Sequence, residues 1–396
     1  MKAPSLGRMC EQHPEAESDA PHLAPGEVMP RARAWARTHH GHGDSNVVRA
    51  HRDTHTRFAD GGRTVWTRER REEFERQSLR PGAALALGAG NRAMEEEPDP
   101  LRTCFERDHD RIVHSAAFRR LAGKTQVVVY PTDHQRTRLT HALEVAQVAT
   151  SIARAVGANP VLADAIALGH DCGHGPGGHA SEDAFDYYIP EGYDHGPWGA
   201  NVVLTSLNLC AETLDGIRNH SWSRPAPSTI EGEICSWADR IAYCAHDLED
   251  AFHAGIVRPQ DLPASISEVV GADRRTQLSR LIGAVVATTV ETGQVGMDAE
   301  TAAALAEMRT FNYERIYTRP ESLAQSHAVV EVLRALVEHY VARPELMPQD
   351  YRETDDAVRG AVTYVGGMTD RFAFTQAQEL LGWDPARLPR GIGRGA

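Results

Sequence analysis

Two histidines and two aspartates, His141, His170, Asp171 and Asp239, are the side chains of this sequence best suited to chemistry. His170 and Asp171 are adjacent in the run AIALGHDCGHGPGGHASEDAF, His141 stands in TRLTHALEVAQVA, and Asp239 in SWADRIAYCAHDLEDA. A mixed imidazole and carboxylate set suits a divalent ion such as Mn, Fe, Ni or Zn better than a thiolate-seeking one. An ion held this way polarises a phosphoryl oxygen and activates a water. The chemistry indicated is metal-assisted phosphoester hydrolysis. Singly, each residue has an ordinary explanation, since a helical histidine commonly packs in a core. Asp239 is harder to dismiss: it lies in a mostly apolar stretch, where an unpaired carboxylate is costly unless it meets a cation.

Helices must position these groups, and the sequence predicts an all-α fold. Phe105, Ile112, Val113, Ala116, Ala117 and Leu121 recur at helical intervals. Residues 140–156 form a strong helix with Leu143, Ala146, Ala149 and Ala153 on one face, and Gly157 stops it. A short helix over 161–169 delivers His170 and Asp171 at its end. Residues 173–178 are a glycine-rich loop, GHGPGG, that is no P-loop because no GK[ST] follows. Further helices are predicted over 200–210 and 230–254. Helical runs over 276–290, 299–316, 326–342, 354–364 and 369–381 alternate with turns. The run Val127 to Tyr130 is β-prone and ends at Pro131, as a small hairpin or an extended loop.

Residues 1–65 carry seven histidines (His13, His22, His39, His40, His42, His51, His55) but no hydrophobic period, and read as a disordered extension. Residues 66–100 are a charged, turn-rich lead-in with a helix over 67–80. The core spans 101–260, and 261–396 form a C-terminal helical region. No internal repeat is visible. With 396 residues and 41% hydrophobic content the chain can bury a sizeable core. No run approaches the apolar length of a membrane span, and the N-terminus has no signal-peptide core. The six scattered cysteines lack any C-x-x-C, which fits reduced thiols in the cytoplasm. A net charge of -13 argues against general nucleic-acid binding.

The order H…HD…D, with the flanks HSAAFRRLAGKTQV (114–127), RTRLTHALEVAQVA (136–149), HDCGHGPGGHASEDAF (170–185) and ADRIAYCAHDLED (238–250), resembles the dGTP triphosphohydrolase branch of the HD-domain phosphohydrolases. The resemblance is strong over 102–252 and weaker in the C-terminal helices. It implies an HD-domain helical fold with a C-terminal helical extension. It implies hydrolysis of deoxynucleoside triphosphates, dGTP by default, to the deoxynucleoside and inorganic triphosphate. Water attacks the α-phosphorus and the 5′ oxygen leaves. One divalent ion is implied, Mn or Mg first, with Fe, Ni, Zn or Co as the others. The implied partners are a dNTP substrate, a dNTP as allosteric activator, and further copies of the chain. Another HD enzyme (a 5′-nucleotidase, a phosphodiesterase or an alarmone hydrolase) and a non-catalytic nucleotide sensor are the alternatives.

The resemblance also distributes roles. His179 becomes the proton donor to the leaving oxygen, with Glu182 orienting it or the water. His174 reaches the phosphates, and Gln126 touches the base edge. His195 resembles a later family histidine near the leaving group, though a plain loop residue fits equally. Arg315 and Tyr317, in FNYERIY, resemble a segment that closes the site, and an ordinary helical surface fits them as well. The stretch GIRNHSW (216–222) is polar and has no assigned role. Asp239, Tyr243 and Asp247 follow at i, i+4 and i+8, so they share a helix face. Tyr243 is then placed to stack on a sugar and Asp247 to accept from a 3′-hydroxyl. Arg138, three residues before His141, is placed for a phosphate. Arg119, Lys124 and Arg136 add positive charge: residues 102–140 hold eight Lys/Arg against four Asp/Glu, as a triphosphate site needs. The loop HGPGGHASE departs from the family's HPPFGHxGE at Gly175 and Gly177, which predicts a looser loop.

Overall fold

The computed structural model describes residues 27–44, 46–59, 64–127, 136–352 and 356–389. The chain divides into two units, residues 1–65 and 66–396. In the first, α1 (Pro30–Ala36) begins with a proline at a position where a missing N–H is harmless. The antiparallel pair β1 (His42–Asp44) and β2 (Val47–Arg49) follows. None of the described residues of this unit is buried. These short elements are local structure that its polar composition does not announce.

The second unit is built from helices. Thr67 caps α2 (Arg68–Ser78) by accepting from Arg70 N. A capping box opens α3 (Cys104–His114): Thr103 accepts from Glu106 N while Glu106 accepts from Thr103 N. Ser115 then caps α4 (Ala116–Arg120). The β-prone run lies outside the described residues from 128 onward, but Thr125 and Thr137 pair as an isolated bridge on either side of it. Next come α5 (Arg138–Val156), closed by Gly157 at φ 77°, and α6 (Pro160–Gly169), capped by Asn159. Glycine suits this point because it takes the left-handed backbone without steric cost. The unit continues with α7 (Ala180–Phe185), α8 (His195–Trp198), α9 (Ala211–Asn219) and α10 (Ile230–His253).

The main core joins α5, α6 and α10. Val148, Ala149 and Ile152 meet Leu162, Ala163 and Ile166, and both meet Ile234, Ala238 and Ile241, all fully buried. The many alanines let the three helices approach closely, so the polar residues they carry at one level converge. Truncating Ile152 to Ala would cost about 2–5 kcal/mol. One member of the predicted face is corrected: Leu143 is 51% exposed, and the buried side of α5 runs instead through Ala142, Val145 and Ala146.

The predicted helix over 200–210 is also corrected. The chain makes a π turn at Gly199–Val203 and a 3-10 turn at Thr205–Leu207, then turns left-handed at Asn208 (φ 49°). Asn208 tolerates this conformation, and its side chain bonds Met94 N and Met94 O. The break hands Cys210 N to the buried Asp108 and starts α9.

The C-terminal region comprises α11 (Ala264–Val269), α12 (Arg274–Thr292), α13 (Ala299–Asn312), α14 (Pro320–Ala342), α15 (Gln349–Arg352), α16 (Ala357–Gly366) and α17 (Asp370–Leu381). A π turn, Tyr313–Tyr317, extends α13. A second apolar cluster seats this region on the body: Val329, Val332 and Leu333 of α14 pack with Ala184 and Phe185 of α7, Val365 of α16 and Phe374 of α17. Among the described residues, strands occur only in the first unit, and no helix is long and apolar enough to cross a membrane.

Candidate active site

Three helices of the main core bring the first cluster together. Helix α5 carries Arg138 and His141, the end of α6 presents His170 and Asp171, and α10 carries Asp239, Tyr243 and Asp247. His141 Nε2 lies 3.0 Å from Asp239 Oδ1, and His170 Nε2 lies 3.7 Å from the same oxygen and 3.4 Å from Asp171 Oδ1. Donor atoms of His141, His170 and Asp239 all fall within 4.8 Å of one another. Asp171 stands beside this trio: Arg138 Nη1 holds its Oδ2 at 2.8 Å.

The trio fits a cation on its own chemistry. His170 Nδ1 donates to Ala167 O at 2.6 Å, which in the neutral ring leaves the lone pair on Nε2. That nitrogen is buried without a hydrogen-bond partner, and the oxygens nearest to it belong to carboxylates. A lone pair facing two carboxylates is unfavourable unless a positive ion stands between them. The backbone bond to the far ring nitrogen is the usual way a ligand histidine is fixed. Burial opposes ionisation of Asp171 and Asp239. Even so, the Arg138 guanidinium and the neighbouring imidazoles hold Asp171 well below the usual carboxylate range, and the bond from His141 with its neighbouring charges does the same for Asp239.

A second cluster adjoins the first. Glu182 Oε2 accepts from His179 Nδ1 at 2.9 Å, and Glu182 Oε1 accepts from His195 Nδ1 at 2.6 Å and from His195 N at 3.0 Å. His195 Nε2 lies 3.0 Å from His220 Nε2 and 4.0 Å from Asp171 Oδ1. His174 stacks on His195 with ring centroids 3.8 Å apart. Its Nε2 is 3.2 Å from Asp171 Oδ1 but makes no hydrogen bond. Burial depresses His174 and takes His220 down to about 3. Burial would lower His195 too, but the Glu182 charge outweighs it and raises that imidazole. His179 alone of these rings is open, its side chain 71% exposed.

His141, Asp171 and Asp239 of the first cluster and His174, His179, His195 and His220 of the second line one cavity of about 370 Å³, with His170 and Glu182 set behind them. Gln126, Arg138, Tyr243 and Asp247 also line it. Gln126 Oε1 is buried and unpartnered, and so are Arg138 Nε and Nη2. Asp247 is already engaged, by Arg136 and by Tyr317 Oη at 2.5 Å. The positive charge expected from 102–140 is corrected at three positions. Lys124 is buried away from the cavity lining, donates to His174 O and Gly366 O, and is pushed down to about 8 by burial. Arg136 is neutralised by Asp247, Asp250 and Glu144. Arg119 is exposed and outside the lining, as is Arg315.

Arginines that sequence reasoning passed over take their place. Arg240 and Arg309 line the cavity. Arg240 lies 3.4 Å over the Trp222 ring, with its Nε buried and unpartnered. Arg309 Nε donates to Tyr243 Oη at 2.9 Å. Arg240 was legible as the neighbour of Asp239, and His220 and Trp222 lie in the unassigned polar stretch 216–222. The looser loop is overturned. A side chain at Gly175 would meet Ser181 and Phe185 within 3 Å, and one at Gly177 (φ +75°) would meet Val329 at 2.4 Å. The glycines are there because the loop is tightly packed.

Comparison with known proteins agrees with this geometry. A family model described as HD domain matches residues 138–244, and one described as phosphohydrolase-associated domain matches 295–379. The chain is 38% identical over 323 residues to a deoxyguanosinetriphosphate triphosphohydrolase-like protein of Caldanaerobacter subterraneus subsp. tengcongensis, covering 79% of this chain and 95% of that one. It is 38% identical over 332 residues to a protein of the same description from Clostridium perfringens (strain 13), covering 79% and 97%. With the helical fold and the histidine–aspartate centre already in place, the chain belongs to the deoxyguanosinetriphosphate triphosphohydrolase-like family of HD-domain phosphohydrolases.

Proposed function

We propose that this protein hydrolyses deoxynucleoside triphosphates, dGTP first among them, to the deoxynucleoside and inorganic triphosphate. The observation that carries the reading is one cavity holding an unsatisfied histidine–aspartate cluster, three arginines and an unpartnered glutamine oxygen. His141, His170 and Asp239, with Asp171 alongside, would hold one divalent ion, Mn or Mg. When bound, such an ion polarises a phosphoryl oxygen and lowers the pKa of a water.

The side chains supply the rest. Arg138, Arg240 and Arg309 neutralise the triphosphate; the unpartnered nitrogens of Arg138 suit phosphate oxygens. Tyr243 packs on the sugar and Asp247, backed by Arg136, accepts from the 3′-hydroxyl. Gln126 meets the base edge. In the chemical step a water oxygen bonds to the α-phosphorus and the water releases a proton to solvent, while the P–O5′ bond breaks and its electron pair leaves on O5′. His179 delivers the proton that O5′ needs, and Glu182 fixes the ring through Nδ1. His195, pinned between Glu182 and His220, closes the wall behind.

The test is product identity. The protein is incubated with each of the four dNTPs and Mn or Mg, and the released anion is resolved by ion exchange. Triphosphate is the expected product. Pyrophosphate or orthophosphate as the first product overturns the reading in favour of another phosphohydrolase, and no turnover with bound nucleotide favours a sensor.

A further inference from the structure

Besides Arg309 and Tyr317, which reach the cavity directly, the C-terminal region grips two segments of its wall through one buried carboxylate. Asp370 is the first residue of α17 and only 3% exposed. Its Oδ1 accepts from Gly177 N at 2.8 Å. Its Oδ2 accepts from Thr125 N at 3.0 Å and from the Thr125 hydroxyl. Thr125 and Gly177 are 52 positions apart in the sequence, and each precedes a residue given work above: Thr125 adjoins Gln126, and Gly177 leads through Gly178 to His179. The same turn makes two more contacts: Lys124 donates to Gly366 O, and Arg120 Nη1 donates to Gly367 O at 2.8 Å. Every acceptor of the Asp370 carboxylate is thus committed to the two segments that bound the cavity.

We propose that Asp370 is a positioning residue that sets the spacing between the base-facing segment at Gln126 and the proton-handling loop at His179. The C-terminal helices are then a working part of the site. The inference rests on the proposed dNTP hydrolysis for what the two segments do, but the clamp itself is independent of it. The packing explains why this point needs a clamp. Gly177 holds a left-handed backbone that must press against Val329, and its N–H points at no loop acceptor, so an outside carboxylate satisfies it. Thr125 lies where the chain leaves α4 and its 3-10 continuation, beside the bridge to Thr137. One rigid carboxylate can hold both backbones where two separate bonds would let them drift.

Losing the clamp by Asp370→Ala should lower kcat for dGTP by about 10²-fold, the typical cost of an ångström-scale misplacement. It should also flatten the ranking of the four dNTPs, with metal content unchanged. Asp370→Asn keeps an acceptor for Gly177 N but offers an amide to Thr125 N, so it should fall between. Phe374→Leu, one turn along the same helix in the apolar cluster, is the structural control: it should lower Tm while leaving kcat and the ranking within a few-fold. Amide hydrogen exchange provides a readout apart from activity. Gly177 and Thr125 should lose protection in Asp370→Ala and partly in Asp370→Asn, and keep it in Phe374→Leu. Retained protection at both amides in the Asp370 variants overturns the clamp, even if the protein hydrolyses dNTPs. Phe374→Leu losing as much turnover at equal Tm loss reduces Asp370 to a fold residue. Should Asp370→Ala fail to fold, Asp370→Asn decides by the same two measurements. An absence of dNTP turnover in the parent protein, with exchange as expected, would fail the proposed function and leave the clamp standing.

Discussion

Two buried polar networks of this fold differ in how completely their atoms are paired. Around Asp108, every group is matched. Arg92 Nη1 donates to Asp108 Oδ1 at 2.6 Å, while Cys210 N and the Thr213 hydroxyl donate to Oδ2 at 2.8 and 2.7 Å. The other guanidinium nitrogens of Arg92 reach Ala89 O and Cys104 O. Around His170 the opposite holds: His141 Nδ1, His170 Nε2, both ring nitrogens of His174, and Arg138 Nε and Nη2 are buried without hydrogen-bond partners. A matched network is complete and ties segments together. An unmatched one is tolerated only where something else arrives to complete it. Both networks are largely buried, so satisfaction of the polar atoms is what distinguishes them.

The sharpest way to break this contrast is to cut each network once. Asp239→Ala should abolish bound metal and turnover together, while the metal-free variant unfolds no earlier than the metal-free parent; Asp171→Ala should also lose both, but with a loss of stability, because it strips the buried Arg138 of its carboxylate partner. Metal analysis, dNTP assays and denaturant melts check it; a fully metallated Asp171→Ala protein would remove that residue from the centre. Asp108→Ala should do the reverse. Leaving Arg92 buried and unpaired should cost about 3–5 kcal/mol of stability, read by urea denaturation, with activity per folded molecule preserved. Equal stability losses in Asp239→Ala and Asp108→Ala would erase the distinction.

A subtler cut separates the two parts of the unmatched network. His179→Ala should bind metal and nucleotide normally but turn over at least about 10²-fold more slowly. Single-turnover kinetics beside metal analysis decides it, and normal turnover or lost metal would each refute the role. The smallest effect is expected from deleting residues 1–65, which should leave turnover within a few-fold, since their described part buries nothing. A truncated protein that no longer folds would show that this unit supports the other.

The sequence makes the centre legible because its residues sit on strongly periodic helices. Once α5, α6 and α10 are drawn from their apolar faces, His141 at the start of α5, His170 and Asp171 at the end of α6 and Asp239 within α10 meet. Charge was the poor guide. Arg136 and Lys124 look alike in a basic stretch, yet Arg136 meets Asp247 and Asp250 more than a hundred residues later, and Lys124 meets Gly366. Partners that distant leave no local trace, and neither does the clamp from Asp370. The helix expected over 200–210 failed for a related reason: Asn208 turns left-handed to serve Met94, far upstream. Gly175 and Gly177 mislead in the other direction. Glycine in a sequence suggests slack, but here it marks crowding by Phe185 and Val329.

Trp222 gives this cavity an optical reporter of its own. Its indole is anchored by a bond from Nε1 to Ser236 O at 3.1 Å, it is 46% exposed, and the Arg240 guanidinium carbon sits 3.4 Å over the ring. An anion that draws Arg240 off the ring would change both the charge and the water beside the indole, and so the intensity and colour of its emission. Occupancy could then be followed in unlabelled protein, without turnover, by titrating inorganic triphosphate and comparing the parent with Trp222→Phe.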